Sequence, residues 1–457
     1  MRDDLRRRLR ELGLVKGVRE LTTPAPGRRV AIEKLVPGHF HTTGRGQCFV
    51  AEETYPPDHL HGDLPLAAFL DLSSEIIAQV PAYGPLVGAD RRGVCFLDTE
   101  TTGLSGGTGT MAFVVGLGFF VENGFRVQQY FLRDPGDEPA MIEALAELLP
   151  KFEALVSFNG RTFDVPILEN RFILARIPPP TEGLPHLDLL HPARRLWRYH
   201  LPSCALGTLE RALLGVLREQ DDVPGGVIPF LYRDYLRTGD AREMQRVLYH
   251  NAVDVLSLVT LAARVCWAFT IPWNKAEGAH SKRVSGAELF GLGRWYAAEG
   301  RLIEAERAYR EALRSIDQAQ GKPGPAQSAG MDLAPDVRAR VLRTLGYLLK
   351  RADRRAEAFA YWQQLALERS DDILAHIELA KYYEWHVGDL SLAAGWTRAA
   401  ISQVKNWPRG IACDAALAEL HHRLARLERK ISKSQSPNPQ IPDAGGREEP
   451  PESQRAE

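Results

Sequence analysis

Two carboxylates one residue apart, Asp98 and Glu100, close the apolar run Val94-Cys95-Phe96-Leu97 and lead into Thr101-Thr102-Gly103. Four consecutive apolar residues read as a buried strand, and acids at its exit stand at a sheet edge, where ligands bind. Side chains alternate along an extended chain, so Asp98 and Glu100 share a face while Thr99 points to the other. A converging pair of acids invites a divalent cation. The same residues also read as an ordinary polar turn, and matching acids downstream decide between the two.

Two such acids follow. A strand over Ala154–Phe158 runs into Asn159-Gly160-Arg161-Thr162-Phe163-Asp164, which puts Asp164 at a second strand exit, as a site acid or as a helix N-cap. The run Arg246–Leu258 reads as a helix, and on it His250 and Asp254 lie four residues apart, about 40° around the axis and on one face. An aspartate in so apolar a run is expensive to bury without a counter-charge, which a metal ion would supply. Asp188, in the short strand reading of His186–His191, is a supporting acid or a cap. Arg194, Arg195, Arg198, Tyr199 and His200 form the nearest basic and aromatic cluster, as a phosphate contact or a solvated helix face.

The elements that must position these residues alternate strand and helix from about 90 to 270. Met111–Phe120 and Phe125–Leu132 extend the first strand into an antiparallel meander, Glu138–Phe152 has the spacing of an amphipathic helix, and Leu206–Leu217 reads as a packing helix. The glycines of Leu104–Thr110 lack the Gly-Lys-Ser/Thr ending of a phosphate loop and lead into a strand, so they read as a close connection near the site. Before residue 89, a basic helix-permissive segment (Arg6, Arg7, Arg8, Arg10, Lys16) and Pro/Gly-punctuated sequence precede Leu64–Val80, which has helical spacing. His59, His61 and Cys48 lack a fourth zinc ligand and read as packing or loop residues.

With 44% apolar and 25% charged residues over 457, the composition is that of an ordinary globular protein, long enough for two or three domains. A formal net charge of −1 excludes a broadly basic surface, so nucleic-acid binding would need a local patch or metal-bridged phosphates. Five dispersed cysteines without CxxC spacing fit a reducing compartment. With no apolar stretch behind the Arg-rich start and none near ~18 residues elsewhere, the reading is of a cytoplasmic protein with no membrane role.

Taken in order, Asp98-Thr99-Glu100, Asn159 to Asp164 and His250 to Asp254 resemble the three motifs of the DEDD superfamily of 3′-to-5′ exonucleases. Within it, the Phe-Asp-Val-Pro-Ile-Leu and His-Asn-Ala-Val-Asp-Val-Leu-Ser-Leu runs are most similar to the YprB-type predicted exonucleases. The resemblance covers roughly residues 90 to 270 and implies an α/β ribonuclease H-like domain, a mixed sheet flanked by helices. It implies Asp98, Glu100, Asp164 and Asp254 as ligands to two Mg²⁺ or Mn²⁺ ions, which offset phosphodiester charge, generate the nucleophilic water and hold the leaving oxygen. It also implies cleavage of single-stranded DNA or RNA, with Thr99, Thr101, Asn159, Phe163 and Tyr249 as candidate substrate contacts. Subfamilies carry a Tyr four residues before the last Asp or a His five before it; here His250 is four back and Tyr249 five back. The shared helix face favours His250 as the water-orienting base, with Tyr249 the alternative.

Beyond about 275 the chain turns helical and repetitive. Leu345-Gly346-Tyr347 and Leu379-Ala380-Lys381-Tyr382-Tyr383 begin 34 residues apart, the tetratricopeptide (TPR) period, and Leu292-Gly293-Arg294-Trp295-Tyr296 matches them ahead of a loop-like insert, Gln318–Pro335. The expected organisation is an N-terminal extension (1–88), the exonuclease domain (89–272), an all-α TPR-like helical-repeat domain (280–430) offering a face to a protein partner or the substrate strand, and a disordered tail (431–457). Two other functions fit the same pattern: an inactive ribonuclease H-like scaffold, which intact acids argue against, and a structure-specific endonuclease.

Overall fold

The computed structural model describes residues 29–103, 109–218, 222–270, 284–320 and 336–435, and the chain divides into two compact units, Met1–Glu299 and Gly300–Glu457. The first unit opens with strands β1 (Gly38–Thr43) and β2 (Gly46–Tyr55), a small hairpin β3 (Leu60–His61) and β4 (Leu64–Pro65), and α1 (Ser74–Gln79). The meander β5 (Val94–Thr101), β6 (Ala112–Val121) and β7 (Gly124–Phe131) follows, then α2 (Glu138–Leu148), β8 (Ala154–Ser157), α3 (Asp164–Leu174), β9 (His186–Asp188) and α4 (Leu190–Trp197). Helices α5 (Leu206–Leu209), α6 (Ile228–Thr238), α7 (Arg242–Thr270) and α8 (Gly286–Ala298) complete it.

Seven strands form one mixed sheet in the order β1-β2-β7-β6-β5-β8-β9. The pairs from β1 to β5 are antiparallel, whereas β8 lies parallel to β5 and β9 parallel to β8. Because β5 and β8 run the same way, the acids in the last half of β5 and the turn after β8 lie toward the same edge. The four apolar residues of β5 are fully buried, as the sequence expects of a strand covered on both faces.

Helix α7 is the other support. It packs on β5, β6 and β7 and is covered on its far side by the turn Leu66–Phe69 and by α1. Two glycines of β6 allow this approach: a Cβ on Gly116 would stand 2.2 Å from Asn251 Oδ1, and one on Gly118 2.5 Å from Val255 Cγ1. The 29-residue helix is long and apolar enough to cross a membrane, yet 83% of its apolar window is buried inside the unit, which makes it a core helix.

Three sequence expectations are corrected here. The boundary at 88/89 cuts through the fold, because β1 and β2 extend the seven-stranded sheet beyond β7 and Tyr83 Oη donates to the Ala262 carbonyl of α7 (2.7 Å). Leu64–Val80 is not one helix: it is a strand, a 3-10 turn and α1, with Ser73 capping the last through its Oγ. Its helix-like spacing arose from turn residues, Leu66, Phe69 and Leu72, each buried in the core. Helix α8, assigned to the repeats, belongs to the first unit, where Gly291 brings it against the Leu196 carbonyl of α4. The basic segment 6–16, the glycine-rich residues 104–108, most of the 318–335 insert and the tail from 436 lie outside the described residues.

The second unit is helical: α9 (Leu302–Gln320), α10 (Val337–Arg351), α11 (Arg355–Glu368), α12 (Ile373–Tyr382), α13 (Leu390–Val404) and α14 (Ile411–Gln435), each packed on its sequence neighbours. Gly346 lets α10 meet the Trp362 ring of α11, where a Cβ would stand 2.8 Å from the indole.

Candidate active site

Asp98 leaves β5 opposite Gly116, and the space of the missing Cβ is filled by Asn251 of α7. Asn251 Nδ2 donates to Asp98 Oδ2 (2.8 Å), while its Oδ1 accepts from Gln129 Nε2 (2.8 Å), which also donates to the Leu248 carbonyl (2.7 Å). Sheet and helix thus orient the first acid together. Two residues on, Glu100 comes within metal-sharing reach of α7: ligand atoms of Glu100, His250 and Asp254 all lie within 4.8 Å of one another.

His250 is fixed by a partner that sequence reading missed. Its Nδ1 lies 2.7 Å from Asp222 Oδ1 and 3.0 Å from Arg218 Nη1, so the ring is held between an acceptor and a donor. Nε2 faces the acids, 3.4 Å from Asp254 Oδ2 and 3.9 Å from Glu100 Oε1.

Arg218 is the second missed residue. Its guanidinium spans Glu210, through two hydrogen bonds of 2.7 Å, and the Asp254 carboxylate. Burial opposes this charge, but the bonds and charges of Glu210 and Asp254 overcome it and hold the guanidinium above its ordinary pKa. Glu210 is 1% exposed and also accepts from Ser257 Oγ (2.7 Å). Since Ser257 gives its proton to Glu210, the ring of His61 donates to Ser257 Oγ (2.7 Å). Burial pushes His61 down to about 4, so it stands neutral as a packing residue, as expected; His59 instead lies against Tyr55. Arg218→Ala leaves Glu210 a buried, uncompensated charge, and denaturation in EDTA is expected to show a loss of ~3 kcal/mol. Adding Glu210→Gln should return part of it; a double variant no more stable than Arg218→Ala would refute the pairing.

Asp164, at the first turn of α3, is 5% exposed and accepts from Thr99 Oγ1 (2.5 Å). Thr99 points away from Asp98 along the strand and so reaches the acid arriving from β8. Burial raises the Asp164 carboxyl to about 6, against the pull of the Thr99 hydroxyl. Burial, then the charges of Asp254, Glu100 and Asp164, hold Asp98 well above the carboxylate range. Glu100 is raised by burial and by Asp254 and Asp164, and Asp254 by burial, with His250 and Arg218 pulling it back. A folded-state pKa above the unfolded value means that metal-free folded protein binds protons more tightly, so its stability grows as pH falls through about 6 toward the ordinary 3.8. Between pH 7.5 and 5.5 in EDTA, wild type should therefore gain stability relative to Asp164→Asn; a difference flat with pH would contradict the raised carboxyl.

The other candidates fall in different places. Thr101 is buried and donates to the Gly103 carbonyl (2.8 Å). Asn159 sits at φ 67° in the turn after β8, where Asp188 accepts from the backbone N–H of Asn159 (2.8 Å), Arg161 (3.2 Å) and Leu190 (3.0 Å). Asp188 is thus a turn anchor. Phe163, at the N-cap of α3, packs against the core. Tyr249 turns away from the acids, into a cavity lined by Leu35, Glu53, Tyr55, Val127 and Ala252. In the cluster at residues 194–200, Arg195 lies over Trp295 of α8 and pairs with Glu299, and Arg198 lies over Tyr199, while Arg194, Arg195 and Arg198 all stay exposed.

Hard oxygen donors around one imidazole, raising one another's pKa, form a set that divalent cations complete. The family comparison agrees with this chemistry. A model described as RNase_H superfamily (RNase_H_2) matches residues 95–266, which hold all four acids and His250. Over 396 residues, 84% of this chain and 86% of the relative, the sequence is 31% identical to Uncharacterized protein YprB of Bacillus subtilis (strain 168). The chain belongs to the YprB family of ribonuclease H superfamily proteins. Within this ribonuclease H-like unit, Asn251, Arg218, Glu210 and Asp222 are the residues that sequence reading left out. Gly116 and Gly118 inside an apolar strand did signal a close approach there.

Proposed function

We propose that this protein is a DEDD-type, metal-dependent 3′-to-5′ exonuclease acting on single-stranded DNA or RNA. The observation that carries the reading is that ligand atoms of Glu100, His250 and Asp254 lie within 4.8 Å of one another, with Asp98 and Asp164 close enough that Asp254, Glu100 and Asp164 raise Asp98 and that Asp254 and Asp164 raise Glu100. Acids brought together in this way suit a cation. These four acids would hold the Mg²⁺ or Mn²⁺ ions, which supply charge neutralisation and water activation when bound. Asn251 and Thr99 aim two of the acids, and His250, oriented by Asp222, accepts a proton at Nε2. Arg218 supplies a fixed positive charge beside Asp254.

The second unit is read as TPR-like from its 34-residue spacing and the Gly346–Trp362 pairing. A cytoplasmic site of action is proposed from the cysteines, all five of them free thiols.

Purified protein with 5′-labelled single-stranded DNA and RNA, in Mg²⁺ or Mn²⁺ and in EDTA, beside Asp98→Ala, tests the activity. A ladder shortening stepwise from the 3′ end, absent in EDTA and in the variant, is expected. No metal-dependent cleavage by folded protein would sink the nuclease reading, and cleavage of a circular single strand would reassign it to an endonuclease.

A further inference from the structure

In the second unit the chain leaves α12 through a π-turn, Tyr383–Val387, closed by Gly388 at φ 80°. Such a turn advances the backbone by an extra residue and is often found at functional positions. Here it turns Trp385 outward, 55% exposed, while burying its neighbour Glu384 completely. Glu384 is gripped by three cations, Arg423 (3.0 Å), Arg426 (2.8 Å) and Lys430 (2.7 Å). Arg423 also lies over the Trp385 ring, 5.4 Å from its centroid. The exposed indole is therefore backed by an anchored guanidinium and held ready, not left loose.

Beside it runs a groove lined by Trp362, Tyr382, Trp385, His386, Lys350 and Lys381. Its aromatics form a ladder: Phe359 stacks on Tyr382 at 4.5 Å, and Tyr382 faces His386 at 5.4 Å. Arg355 Nη1 reaches His386 Nε2 (3.1 Å). The acids of this region are outnumbered. Glu378 is shared by Lys350 and Lys381, and Glu384 by three cations, so each cluster keeps an excess of positive charge. Residues 336–435 carry 17 Lys and Arg against 12 Asp and Glu, a local surplus hidden in a chain whose net charge is −1.

We infer that this groove binds single-stranded nucleic acid, with a base stacked on Trp385 and backbone phosphates drawn by Lys350, Lys381 and Arg355. The inference takes its ligand class from the nuclease reading above. An exposed ring, Trp385, together with surplus cations suits a flexible polyanion whose bases are unpaired. A duplex keeps its bases inside, and an acidic peptide would use the charges without the rings.

The test is fluorescence polarisation of full-length protein in EDTA, where no cleavage occurs, with a labelled 12-nucleotide oligo-dT and an abasic strand of equal length and charge. Removing one stacked base should weaken binding about 5- to 150-fold. Trp385→Ala is expected to weaken oligo-dT binding by such a factor, Trp385→Phe to keep most of it, and the abasic strand to bind wild type as weakly as oligo-dT binds Trp385→Ala. Arg355→Ala should lower the slope of log affinity against log salt by about one. Unchanged binding in folded Trp385→Ala, equal binding of the abasic strand, or displacement by polyglutamate as effective as by oligo-dT would each overturn the inference. Binding through Trp385 by a protein that cleaves nothing would leave the groove standing and remove the nuclease reading; cleavage with an unaltered Trp385→Ala would do the reverse.

Discussion

Asp98→Asn is expected to abolish metal-dependent cleavage and, in the same molecule, to raise the unfolding temperature of the metal-free protein. Asp98 is half-buried, and desolvation, then the charges of Asp254, Glu100 and Asp164, hold its carboxyl well above the ordinary range. Its bond from Asn251 survives the change, because the asparagine carbonyl accepts the same Nδ2 proton (2.8 Å). The new amide then turns two N–H groups toward neighbouring carboxylates instead of a third negative oxygen pair. Each kcal/mol of repulsion relieved should raise the midpoint of a unit this size by about 2–4 °C. Activity falls for the same reason: one charge fewer weakens the cation site, and a loss on the order of 10³-fold or more corresponds to the several kcal/mol such sites contribute. Scanning calorimetry in EDTA, Mn²⁺ titration by calorimetry and the cleavage assay check the three parts. A variant less stable than wild type without metal, or one cleaving at the wild-type rate, would break the proposed link between strain and function.

How much of this was legible depended on whether a partner is local. The exit of β5, the helix-mouth position of Asp164 and the His250–Asp254 spacing each follow from period and turn chemistry within a dozen residues, and each lies where the sequence put it. The antiparallel meander β5–β7 followed from the strand pattern in the same way, whereas the mixed sheet followed from the family resemblance. Arg218 and Glu210 were not legible, because their meaning is set by α7, and an arginine in a polar loop reads as solvated until something buries it. The fate of residues 38–55 is also non-local. The apolar run at residues 48–51 is short enough for a strand, but only pairing with β7, some 80 residues on, places it in the seven-stranded sheet. Asn251 stood inside a quoted motif and was passed over as filler, although the Gly116 gap facing it was visible as a glycine within an apolar run.

His250→Ala is expected to lower the turnover of single-stranded substrate by 10²- to 10⁴-fold, the range for loss of a positioned general base, while Tyr249→Phe leaves it unchanged. Neighbours on a helix point about 100° apart, so one position faces the acids and the other cannot. Here the histidine faces them, with Nε2 3.4 Å from Asp254, and the tyrosine lines a cavity near Tyr55. Asp222→Asn refines the assignment. The carboxylate holds the ring by its Nδ1 (2.7 Å), and an asparagine there loses the charge that anchors it, so turnover should fall without a matching rise in KM. Two roles for His250 are separable by Mn²⁺ affinity. A base that does not ligate leaves affinity near wild type in His250→Ala, whereas a ligand weakens it. Loss of activity in Tyr249→Phe alone would overturn the assignment, since it would require the hydroxyl to act from the far side of α7, across the buried Asn251 that holds Asp98.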